Sequence, residues 1–146
     1  MFKHILVSTD GSEPSLKGCQ HGLELARQLG SGVTVVTVTT PWRSIAVGEV
    51  AVYLPEDRYE AQTEQLAKER LARVEALAKA AGVSCQTVHR SHVHPWEVIL
   101  SVANEKGCDL IVMGSHGASG VAGLLVGSQA HKVLTHTALP VLVVRG

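Results

Sequence analysis

Short apolar, β-branched runs alternate with longer stretches whose apolar positions recur every three or four residues, and the alternation never breaks. The run HILVST at 4–9 predicts a buried strand. Ser12 then opens a helix with Pro14 in its first turn, apolar positions at Leu16, Cys19, Leu23 and Ala26, and Gly30 as its stop. A second strand follows over 32–40. Residues 41–55 are less regular and too long for an ordinary strand-to-helix connection. From Glu56 a long amphipathic helix carries Ala67, Leu71, Val74, Ala78 and Ala81 on one face and ends at Gly82; its charges over 56–79 read as a solvated face. A third strand is predicted over 83–90, and Pro95 starts a helix with Trp96, Ile99 and Ala103 inward that Gly107 closes. The fourth strand spans 109–114, a helix begins near Ser128, and the last strand is 140–144.

Five strands separated by four crossovers predict a single α/β domain over 1–146, an open parallel sheet with helices on both faces. No internal repeat, linker or low-complexity tail interrupts it. In such sheets ligands sit beyond the carboxyl ends of the strands, where the winding reverses. Two loops carry unusual chemistry: STDGS at 8–12, with a carboxylate and hydroxyls, and a glycine-rich stretch after the fourth strand. If both serve one site, strands one and four are neighbours and the order is the Rossmann-like 3-2-1-4-5. The flavodoxin-like order 2-1-3-4-5 would put strand three between them.

Composition narrows the partners. The 146 residues include 13 basic and 13 acidic side chains, so no polyanion-binding surface is implied. Aromatics are only 3%, which argues against stacking on single-stranded nucleic acid. Cys19, Cys85 and Cys108 are an odd, dispersed set and read as core residues in a reducing compartment. The chain opens straight into a strand with no leader-like apolar region, and no apolar stretch approaches membrane-spanning length. A cytoplasmic protein is the expectation.

The stretch MGSHGASGVAGLLVGSQA places five glycines within fourteen residues, from Gly114 to Gly127. Gly114 and Gly117 would let main-chain N–H groups turn toward a ligand with no Cβ in the way. Gly127 and Ser128 stand at the entrance of the last helix, where free amides and the helix dipole favour an anion. Ser128 would cap that helix or offer its hydroxyl to a phosphate, and His116 adds a donor. Plain turn chemistry also accounts for a glycine-rich loop, and Asp10 alone also reads as a turn former. The spacing is not that of a P-loop, a dinucleotide fingerprint or a nucleophile elbow. His89, His92 and His94 invite a metal reading, but no zinc-type spacing with cysteine appears, and exposed loop histidines are the simpler assignment. No catalytic base is identified.

The residues Gly114-Ser-His-Gly117, nine more, then Gly127-Ser128 resemble the G-x2-G-x9-G-[S/T] pattern of the ATP-binding branch of the universal stress protein family, and both ends of the chain resemble that family's. The resemblance implies a dimeric α/β protein that holds ATP (or AMP or ADP), with Mg²⁺ accompanying the nucleotide, between the loops after strands one and four. By position it implies that Asp10, with Thr9 beside it, contacts the adenosine and that Val38 lies against the adenine. Met113 and Gly114 would line the ribose and phosphate path. Gly117, Gly127 and Ser128 would hold phosphates with the main chain of Gln129 and Ala130. Departures include Ala118 where many relatives have Arg, and Gln129 and His131 where they often have Val and Glu. The expected role is regulatory; a slow ATPase in the same pocket is the alternative, and a histidine-based metal-responsive module a further one. Strand five is apolar and lies at a sheet edge, so a homodimer through 140–144 is expected.

Overall fold

In the computed structural model, described over residues 1–46, 48, 53–116 and 126–145, the first apolar run forms β1 (His4–Ser8) at the centre of a five-stranded sheet. Ile5, Leu6 and Val7 are all fully buried, because helices cover both faces of this strand. That is why the run is continuously apolar and does not alternate. β2 (Gly32–Thr39) and β4 (Leu110–Gly114) flank β1 in parallel. β3 (Cys85–Ser91) lies outside β2, and β5 (Val141–Val144) outside β4. The order is 3-2-1-4-5, the one that a single shared site requires.

The helices are α1 (Glu13–Leu29), the single turn α2 (Trp42–Ile45), α3 (Glu56–Ala81), α4 (Pro95–Glu105) and α5 (Ser128–His136). α1 and α3 pack on one face, against Ile5, Val7, Val33 and Val35. α4 and α5 pack on the other, against Leu6, Val36, Ile111 and Met113. Ser12 caps α1, its hydroxyl accepting from the Ser15 amide, and Pro14 sits in the first turn. Gly30 and Gly82 end α1 and α3 in the left-handed region, at φ 69° and 71°.

Several strand boundaries move by a residue or two, each for a hydrogen-bonding reason. β3 starts at Cys85, because the Val83 amide is spent on the Ala78 carbonyl at the end of α3. Pro140 has no N–H and precedes β5, its carbonyl accepting from Ile111 at 3.0 Å. Within 41–55, Trp42 Nε1 donates to the Leu54 carbonyl at 2.7 Å, and the Tyr59 hydroxyl donates to the Thr40 carbonyl at 2.6 Å. These bonds tie the two ends of the excursion together; residues 47 and 49–52 lie outside the described residues. Trp96 and Ala81 are half-buried, not fully inward, and the Trp96 ring lies 4.5 Å from that of His136.

Three glycines let α1 approach the sheet closely. A Cβ at Gly18 would stand 2.6 Å from the Gly114 amide nitrogen, and one at Gly22 would stand 2.5 Å from a Val7 methyl. A Cβ at Gly114 would in turn meet the Pro14 carbonyl oxygen at 2.5 Å. Gly18 and Gly22 are four apart on one helical face, so both point at the sheet. Each costs about 0.5–1 kcal/mol of helix propensity, which the close contact offsets. The start of α1 is thereby pressed against the end of β4.

The three cysteines are free thiols. Burial pushes Cys19 up to about 12 and Cys108 up to about 11, so both are un-ionised at neutral pH, in line with core residues. Asp109 accepts from the amides of Lys3 and His4, fastening β1 to β4, and those amides hold its carboxyl below the usual range. Among the described residues no helix is long and apolar enough to cross a membrane.

Candidate functional site

From β1 the chain winds outward through β2 and β3, then crosses back to β4, so the carboxyl ends of β1 and β4 are neighbours. At this reversal opens a cleft of about 190 Å³. Among the predicted site residues, Thr9, Asp10, Val38, Met113, Gly114, His116, Gly127, Ser128, Gln129 and Ala130 all line it. Gly117 and Ala118 lie outside the described residues.

The loop after β1 is tied down at almost every polar atom. The Thr9 amide donates to Val36 O at 3.0 Å, and its carbonyl accepts from the Thr37 hydroxyl at 2.7 Å. Its own hydroxyl oxygen accepts from the Gly11 amide at 3.1 Å, so Thr9 gives the cleft shape more than hydrogen bonds. Asp10 Oδ1 accepts from the amide and hydroxyl of Ser12, at 2.9 and 2.5 Å. The turn-forming role of this aspartate is therefore real, and it coexists with a place on the cleft wall.

On the opposite wall, the Ser115 amide continues the β4–β5 pairing by donating to Val144 O, and the Ser115 carbonyl accepts from the Gly127 amide. The two ends of the glycine-rich stretch thus meet beneath the cleft. Gly127 stands at the entrance of α5 as expected, and both it and Gly114 have a packing reason to lack a side chain. Gly114 is bare because α1 presses on it, and a Cβ at Gly127 would stand 3.0 Å from Ser115 O. At both positions the chain's own backbone makes the close approach.

Ser128 does not cap α5. The N-cap is Gly127, which has no side chain to offer, and Ser128 is the first helical residue. The first intrahelical bond is His131 N to Gly127 O, so the amides of Ser128, Gln129 and Ala130 have no partner among the described residues. The Gln129 side chain turns away to α4, where its Oε1 accepts from the Trp96 amide at 3.0 Å. It caps α4, whose own N-cap His94 makes no side-chain bond, and so locks the starts of α4 and α5 together. His116 Nδ1 pairs with the Ser115 hydroxyl at 3.1 Å, while its Nε2 is enclosed with no partner among the described residues. A buried ring nitrogen in that condition calls for a further partner.

Ser8, from the STDGS loop, also lines the cleft, as do Ser15, Val36, Pro95, Ile99 and Ser115, which were not singled out as site residues. Val36 was within reach, since period-two alternation puts it on the face of Val38. Val36, Val38, Ile99 and Met113 give the cleft an apolar part of its lining, in the same cluster as Ala130 of α5. No lysine or arginine is among the described lining residues; Asp10 and His116 are the titratable ones.

The histidine cluster comes apart. His89 is half-buried and bonds the Thr39 hydroxyl at 2.8 Å, with burial pushing its pKa down. His92 Nε2 faces Glu97 at 3.5 Å, and His94 is exposed. The assignment to exposed loops therefore holds for His94 alone. No group of three His, Cys, Asp or Glu among the described residues is placed to hold a metal ion.

Residues 1–145 match the family model described as Universal stress protein family. The chain belongs to that family. The universal stress protein YxiE of Bacillus subtilis (strain 168) is 36% identical over 155 residues, covering 99% of this chain and all of that one. Among solved structures, that of hypothetical protein MJ0577 is 27% identical, with a TM-score of 0.85 over 100% of this chain and 97% of the other. A universal stress protein in complex with cAMP has a TM-score of 0.69 at 24% identity, over 98% and 96% of the two chains. At that identity the likeness concerns the fold.

Proposed function

We propose that this universal stress protein binds an adenine nucleotide, ATP with Mg²⁺, in the cleft between the loops after β1 and β4, and acts as a regulatory binding module. The observation that carries the reading is the entrance of α5: three amides without partners among the described residues and no capping side chain, on a cleft that also has an apolar lining. Unpartnered amides at a helix start attract an anion, and Val36, Val38, Ile99 and Met113 suit a purine face. Asp10 on the cleft wall would serve the ribose or base, and the His116 ring, which also lines the cleft, would turn its unpartnered Nε2 to a phosphate oxygen. The fold neighbour in complex with cAMP supports an adenine nucleotide as the class of ligand. The Mg²⁺ would be held mainly by the phosphates, because Asp10 supplies the one carboxylate on the described wall. When bound, it would neutralise phosphate charge that this described wall, lacking lysine and arginine, leaves uncompensated. Mass spectrometry of small molecules released from purified protein should find adenine nucleotide. Protein that carries none, and takes none up on titration, would remove the reading.

The working unit in this proposal is a cytoplasmic homodimer. β5 is an edge strand of the sheet, and its Leu142 is 43% exposed. An apolar edge with open hydrogen-bonding groups is best satisfied by a second copy around a twofold axis. Val143→Lys should therefore sediment as a monomer while the wild type sediments as a dimer at micromolar concentration. A monomeric wild type would exclude this assembly.

A further inference from the structure

Arg70 lies on the inward face of α3, three residues after Ala67 and four before Val74, both buried. Its stem runs beneath the turn that follows β1. A Cβ at Gly11, which has φ 84°, would stand 3.2 Å from Arg70 Nε and 3.4 Å from its Cγ. The turn therefore rests on the arginine. Arg70 Nη1 also donates to the Thr37 hydroxyl at 3.4 Å. A guanidinium has no acceptor, so the direction of that bond is fixed. The one proton of Thr37 then goes to the Thr9 carbonyl at 2.7 Å. Thr37 is only 1% exposed, so its hydroxyl is shielded from water. The chain of donors runs from Arg70 through Thr37 to Thr9, the residue before Asp10, and each bond polarises the next.

The turn is also thin. A second hollow, of about 350 Å³, separates it from α3, and Thr9 and Asp10 border both that hollow and the cleft. On the α3 side, Arg70 reaches the turn across this hollow, adding to the bonds the turn makes within itself and to α1 and β2.

We infer that Arg70 is a positioning residue for the nucleoside end of the cleft: by resting against Gly11 and bonding Thr37, it sets the direction in which Asp10 faces a ligand. The inference rests on the nucleotide-binding reading above and adds a residue outside the cleft, on a helix whose charges looked merely solvated. Arg70→Met keeps the stem and removes the donors, Arg70→Lys keeps a cationic donor group, and Thr37→Val removes the hydroxyl at nearly constant shape.

Calorimetric titration with adenosine and with ATP, beside thermal melts, tests the assignment. Arg70→Met should weaken both ligands by the same factor, about five- to tenfold, since the phosphates are not involved. Arg70→Lys should recover most of that loss. The double variant Arg70→Met with Thr37→Val should bind no more weakly than the weaker single variant. Without any ligand, amide exchange over residues 10–12 should be faster in Arg70→Met and restored in Arg70→Lys. Wild-type affinity in Arg70→Met, no recovery with lysine, or unchanged exchange would each overturn the role of Arg70 and leave the nucleotide reading standing. A wild type that binds neither ligand would defeat both.

Discussion

Gly114→Ala is expected to lower the melting temperature by about 6–12 °C, a cost of about 3 kcal/mol in a domain of this size. The added methyl would stand 2.5 Å from the Pro14 carbonyl oxygen, 2.9 Å from its carbon and 3.3 Å from Ser15 Cα. All three are main-chain atoms in the first turn of α1, so no rotamer change relieves the clash. Either α1 lifts away from the sheet or β4 bends. Lifting α1 would also pull Gly18 off the Gly114 amide and Gly22 off Val7, loosening a core that includes Cys19, Leu23 and Ala26. The alternative reading of Gly114, a position kept bare for a phosphate, makes the opposite forecast: normal melting with binding lost. Melting curves of the unliganded variant decide between them, and an unchanged midpoint would sink the packing account.

Most of the fold was legible because its signals are local. A strand covered on both faces must be continuously apolar, as at 5–7, and a helix against a sheet must repeat its apolar positions, as at 67, 71, 74 and 78. The strand order came from chemistry, on the premise that a carboxylate loop and a glycine loop share one site. What was illegible depends on contacts between distant segments. Nothing local says that Gly114 faces Pro14, or that the Gln129 side chain caps a helix starting at Pro95. Arg70 is an intermediate case. It falls on the same helical stripe as Ala67 and Val74, and a charge at a stripe position was itself a hint that it has an inward partner.

Glycine placement shows how the same residue type carries two different meanings. Gly18, Gly22 and Gly114 serve the approach of α1 to the sheet, whereas Gly127 serves the junction between β4 and α5. The consequence for the site is indirect. Pressing α1 onto β4 carries the Ser15 hydroxyl to the cleft, and the Gly127 amide bonded to Ser115 O sets the open amides of Ser128, Gln129 and Ala130 beside it. The side proposed to attract an anion is thus built from helix starts, with no lysine or arginine among the described lining residues. In the proposed binding mode such a wall would hold phosphate by fixed dipoles, at distances set by packing.

Mg²⁺-ATP is accordingly expected to bind to the wild type and persist without hydrolysis over hours, and Asp10→Ala to weaken its binding by roughly ten- to 150-fold. Main-chain amides at the start of α5 would stabilise ground-state phosphates well. Faster transfer would also need a positioned water and extra stabilisation of charge on the moving group, usually from a lysine or arginine. The described lining of the cleft holds neither. The loss assigned to Asp10 is that of a charge-assisted hydrogen bond to the nucleoside, about 1.5–3 kcal/mol. Because Oδ1 of Asp10 also accepts from Ser12, the alanine variant unties the turn as well. Asp10→Asn separates the two effects: its amide oxygen still accepts from Ser12 and keeps the turn, while the charge is lost. Its affinity should fall between wild type and alanine, with melting close to wild type. Calorimetry on the three proteins, with a phosphate-release assay alongside, reads both halves of the expectation. Rapid Mg²⁺-dependent release by the wild type would turn the cleft into an active site, and equal ATP affinity in all three proteins would take Asp10 out of it.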